Sequence, residues 1–131
     1  MYIMNDLNLS YSFDFDNAIA AHKVWLRHLE FFMDGIEPDY VDLDTAGDAG
    51  LCSLGQWLSG SGRQYGDLAH FPRLEAAHRE FHQVAAEIVH CIRKEQNIEA
   101  DALLKGRMSE LSAEIVTLIE AMKKDFHAAA A

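Results

Sequence analysis

Apolar residues recurring at alternating steps of four and three constrain this chain more than any other feature. Phe15, Ile19, His22, Leu26, Leu29 and Met33 step 4, 3, 4, 3, 4, which is the inward seam of a bundle helix. A second seam runs Phe71, Leu74, His78, Phe81, Ala85, Ile88, Ile92, and a third runs Leu104, Met108, Leu111, Ile115, Leu118, Met122. Punctuation agrees with the spacing. Asp14 or Asp16 suits the first helix's N-cap, Gly35 with Pro38 ends it, and Pro72 suits the first turn of the second. The short link near Glu95 to Glu99 predicts antiparallel neighbours on either side of it.

The connector between the first two long helices, Gly35 to His70, is too long to be structureless throughout. It begins acidic, in a stretch that reads as solvated and lacks the spacing of a calcium loop, then turns apolar at "LCSLGQWL". That apolar piece predicts a short helix ending at Gly60-Ser61-Gly62. The expected fold is all-α: a four-helix bundle with three long helices and one short helix carrying Cys52. One domain over residues 1–131, with its core at about 10–127, suits a chain of this length.

Charge narrows the partners. A formal net charge of −10 with no Lys/Arg cluster repels phosphate backbones and anionic lipid, so neither nucleic acid nor membrane is expected. The first residues lack the basic start and apolar core of a signal peptide, and no stretch approaches a membrane span. A cytoplasmic location follows, where thiols stay reduced, so Cys52 and Cys91 read as free thiols or metal ligands.

Two seams carry histidine among apolar neighbours. His22 takes such a position, and so does His78, while His82 follows at i+4 and flanks the stripe. A pair at i, i+4 projects from one helix face and can share an ion, although such pairs also decorate solvated faces. A lone His22 would ordinarily be a hydrogen-bonded core histidine, and a lone Cys52 a small buried hydrophobe. Cys52 also sits near the start of the short helix, where free N–H groups favour a thiolate. Together they make a stronger case. Zinc takes four N/S ligands in a tetrahedron, and a His, a Cys and a His pair from three helices supply them. Trp25 and Trp57 could wall the site from water or simply pack the core. Gly55 permits a close backbone approach or relaxes a crowded turn.

Three blocks in order, His22-Lys-Val-Trp25, Cys52-Ser-Leu54-Gly55-Gln-Trp57 and His78-Arg-Glu-Phe-His82, resemble the chemoreceptor zinc-binding (CZB) domain family. The resemblance covers nearly the whole chain. It implies a bundle, commonly a homodimer, holding one Zn²⁺ through His22, Cys52, His78 and His82. It also implies a sensory or regulatory role in bacterial signalling, chemotaxis included, attached to a chemoreceptor or a diguanylate cyclase. Sensing would be of zinc or, through redox-sensitive Cys52, of hypochlorous acid. No GG(D/E)EF-like motif or receptor coiled coil is present. The first Met lies close to the first helix, which suits a natural N-terminus, so a stand-alone protein or a cyclase's regulatory end is expected.

Four protein ligands leave no open position for an activated water, so the chain is not expected to be an enzyme. The alternatives are a zinc-stapled structural dimerisation bundle and, more remotely, a small zinc hydrolase with three histidines on the metal. For the latter, Glu80 is the nearest base, and it points away from the face of the two histidines. A haemerythrin-like iron carrier would need more histidines and bridging carboxylates in the seams, and a thiolate favours zinc. Cys91, His28, His70, His90 and His127 receive no role.

Overall fold

Asp14 opens the first helix by accepting a hydrogen bond from Asn17 N–H at 2.9 Å, which satisfies one of the donors a helix start leaves free. The computed structural model describes residues 14–36 and 43–130. Helix α1 spans Phe15–Met33 and closes at Gly35, whose φ of 86° is the left-handed conformation that ends a helix cleanly. There Gly35 N–H reaches Phe32 O and Ile36 N–H reaches Phe31 O, at 3.0 and 2.9 Å. Pro38, expected to help end this helix, lies outside the described residues.

The connector is built from short turns. Two 3₁₀ turns, Leu43–Thr45 and Ala49–Leu51, lead to the short helix α2, Ser53–Ser59, and Gly60 caps it ahead of a third 3₁₀ turn, Ser61–Tyr65. Helix α3 follows over Phe71–Arg93, with a proline in its first turn. It ends as α1 does: Gln96 N–H bonds Cys91 O at 2.8 Å and Glu95 N–H bonds Ile92 O at 3.0 Å. Here the left-handed position is held by Glu95, at φ 61°, without glycine's freedom.

Beyond this turn, α4 (Asn97–Leu103) runs through a π turn at Leu104–Met108 into α5 (Ser109–Ala130). Counted as one rod, α4 and α5 complete a bundle of four helices, and no strand occurs among the described residues. Helix α3 packs against α4 and α5, and α1 against α3 and α5. The core lies where the seams meet. Leu29, Leu74, Phe81, Ile88, Met108, Leu111, Ile115, Ile119 and Met122 are wholly buried there. No helix among the described residues is long and apolar enough to cross a membrane.

Where the acidic connector is described, Asp44 and Asp48 are exposed as expected, but Ala46 between them is fully buried, and an Arg93–Asp44 ion pair ties the first 3₁₀ turn to the end of α3. This segment lies over the flank of α3, which is why His82, expected beside the stripe, is as buried as His78, each 2 % exposed.

Candidate metal centre

The seam of α1 turns His22 inward, the face of α3 turns His78 and His82 inward, and Cys52 arrives at the N-cap of α2. One donor atom from each of the four lies within 4.8 Å of the others. Cys52 Sγ is 3.0 Å from His78 Nε2, which is 3.2 Å from His82 Nε2. Zinc bonds of about 2.0–2.1 Å to nitrogen and 2.3 Å to sulfur place tetrahedral donors about 3.3–3.6 Å apart. The cluster is already near that scale.

The outward nitrogens are committed elsewhere. His22 Nδ1 donates to Ala18 O at 2.8 Å, and His82 Nδ1 donates to Ala46 O at 2.9 Å. These bonds set the tautomer, so the Nε2 of each neutral ring carries a lone pair into the cluster. His22 Nε2 is buried there with no hydrogen-bond partner among the described residues. Leaving such an atom unsatisfied costs about 1–3 kcal/mol, and converging lone pairs repel one another. An electron-pair acceptor between them removes both costs. The donor set therefore fits a metal ion, and three imidazoles with one thiolate suit zinc in particular.

Electrostatics point the same way. Burial holds His22 down to about 4, despite the help of the Ala18 carbonyl, and it holds His78 down to about 3. Nearby positive character at His22, His82 and Arg79 adds to the effect on His78. His82 is lowered by burial too, against the Ala46 bond and the charge of Asp48. All three rings therefore stay neutral and able to ligate at pH 7. The thiol differs from expectation. Hydrogen bonds from the Gly55 and Leu54 N–H groups do favour the thiolate, but burial outweighs them and raises Cys52 above its ordinary value. A metal ion has to displace that proton.

Aromatic walls surround the rings. Phe81 meets His22 and His82 edge-on, with centroids 5.2 and 5.5 Å apart, and Trp25 stands 6.3 Å from His82. Trp57 packs instead among Phe15, Tyr65 and Phe71, within the core beside α2. Gly55 is a true close approach: a Cβ there would lie 1.7 Å from Ala49 O and 3.2 Å from His78 Cε1. Glu80 faces away and pairs with Arg107 through two 2.6 Å hydrogen bonds. The roles of the Ala18 and Ala46 carbonyls and of Phe81 escaped sequence reasoning. A carbonyl has no side-chain signature, and Phe81 reads only as core.

Fold and cluster together define an all-α bundle with a buried His₃Cys group that could hold a metal. Residues 22–89, more than half of the chain, match the family described as the chemoreceptor zinc-binding domain, and the chain belongs to that family. Domains of this family occur in chemoreceptor-type signalling proteins. No curated protein and no solved structure matches the chain.

Proposed function

We propose that His22, Cys52, His78 and His82 hold one Zn²⁺, and that residues 1–131 form a single sensor domain, core about 10–127, that regulates a signalling partner without catalysing a reaction. The observation that carries this reading is the buried, partnerless His22 Nε2 beside three further donors. Family membership supports zinc as the ion and a chemoreceptor-type signalling protein as the partner. The output would be a chemoreceptor, a diguanylate cyclase or a similar protein, and the chain would act as a homodimer in the cytoplasm.

Cys52 is the natural sensing element. It alone of the four is only partly buried, and it stands at the junction of a 3₁₀ turn and a seven-residue helix, the shortest-anchored donor of the set. Hypochlorous acid would oxidise its thiolate to a sulfenic acid, with oxygen gained by sulfur and chlorine leaving as chloride. Either that loss of a donor or loss of zinc would free α2 and the 3₁₀ turn before it, and the partner would read their movement.

Elemental analysis of the purified chain tests the site. One zinc per chain, lost or weakened in Cys52→Ala and His22→Ala, is the expected result, and no zinc even after refolding with it would refute the proposal. A structural staple is separated from a sensor by circular dichroism after chelation. A sensor keeps most of its helix, whereas a staple unfolds.

A further inference from the structure

The outward face of α1 carries an apolar stripe and a charged stripe side by side. Four large apolar side chains are exposed among the described residues, and two of them, Val24 at 48 % and Phe31 at 44 %, stand on this helix. At 100° per residue, Val24 and Phe31 lie within about 20° of one another, on the side away from buried Leu29. Beside them run Lys23, Arg27, Glu30 and Asp34, all exposed and within about 60°. The order of these charges is not the one a lone helix prefers. Two bases come first and two acids follow, with no base in the last turn, so the acids meet the negative end of the helix dipole. Nor does the chain itself offset this order. Arg27 reaches Glu30 only at 4.0 Å, both side chains exposed, and Lys23 and Asp34 have no ion-pair partner among the described residues.

The pattern is nearly palindromic. Lys23 and Arg27 lie as far before the midpoint of His28 and Leu29 as Asp34 and Glu30 lie beyond it. Val24 and Phe31 are symmetric about a point one residue earlier, about 1.5 Å along the axis. A two-fold axis perpendicular to the helix, passing beside this face, reverses the helix direction and keeps each stripe on its own side. Charge then meets charge and apolar meets apolar. We propose that a second copy of this chain docks antiparallel on this face, α1 against α1, across a two-fold axis near His28. Arg27 faces the partner's Glu30, Lys23 the partner's Asp34, and Val24 the partner's Phe31, each pair made twice. The acids at the end of one helix so gain the bases of the other. The proposal deepens the homodimer reading by naming its face, and it does not depend on the metal. One helix pair is a small interface, so the dimer should form at about micromolar concentration.

Sedimentation equilibrium of the purified chain across micromolar concentrations, with zinc supplied, tests the face. Each variant is first shown to keep the parental helical signal. Phe31→Asp should leave only monomer, and since Phe31 is nearly half exposed in the protomer, folding does not need it. Arg27→Glu alone sets acid against acid across the axis, Glu30→Arg alone sets base against base, and each should weaken the dimer by about tenfold. Mixed one to one, these two variants place Glu against Arg at both positions and should return to within about threefold of the parent. Mixing would not repair a general loss of stability. A dimer that survives Phe31→Asp, or a mixture no tighter than either variant alone, would overturn this face and leave the homodimer reading standing. A monomeric parent would bring down both.

Discussion

At the scale of single residues, two positions show stability set against metal binding. His22 carries a buried ring nitrogen that nothing among the described residues satisfies, while its other ring nitrogen donates to Ala18 O. Replacing it with leucine removes the orphan and leaves an apolar seam. His22→Leu should raise the stability of the metal-stripped chain by about 1–2 kcal/mol in urea denaturation while abolishing tight zinc binding. A less stable stripped variant would mean that the nitrogen is satisfied in solution. Gly55 makes the opposite case. Its missing Cβ leaves space for the Ala49 carbonyl, so Gly55→Ala must push the 3₁₀ turn away from α2 and should cost about 2–3 kcal/mol. Unchanged stability there would mean that the turn yields freely. Of the four side chains that come together, His22 and His78 stood out because a histidine in an apolar stripe is conspicuous, and His82 by its i+4 spacing from His78. The carbonyl of Ala46, which orients His82, did not, since it belongs to an acidic segment whose backbone, not its side chains, does the covering.

At the scale of elements, the helix ends differ in how openly the sequence declares them. Gly35 marks the end of α1 by its residue type. The end of α3 uses the same geometry with Glu95 in the left-handed position, where a Cβ costs about 1–2 kcal/mol. Glu95→Gly should therefore stabilise the chain by about 1 kcal/mol, part of the gain being offset by the greater freedom of an unfolded glycine. Thermal melting checks it, and a lower melting temperature would show that Glu95 makes a compensating contact. The π turn was equally silent in the residue types. Ala100, Leu104 and Met108 are all buried at successive steps of four, and the wider turn takes up the drift that such spacing would bring in an α-helix. The three seams themselves were readable throughout, because burial on one helical face is a side-chain property. In them Ile19, Leu26, Met33 and Ile92 are partly buried and the other positions fully so.

At the scale of the whole molecule, burial of the cluster fixes how zinc binding answers to pH. His22 is held at about 4 and His78 at about 3, with His82 also lowered, so protons do not compete for these nitrogens near neutrality. Cys52, raised above its ordinary value, is still a thiol there and must release its proton on binding. Zinc affinity should then rise about tenfold per pH unit from about pH 5 to 9, a slope of one proton. Below about pH 4 the histidines join and the slope steepens. Stability of the stripped chain follows from the same values. A depressed histidine binds fewer protons folded than unfolded, so stability is full above about 6.5 and falls as pH drops towards 4. The raised thiol works in the other direction and loses stability as pH climbs through about 9. Competition titrations with a chelator of known proton dependence would measure the binding slope. A slope near three at pH 6 would mean that the rings titrate as if exposed, and the buried, preformed cluster would not describe the protein in solution.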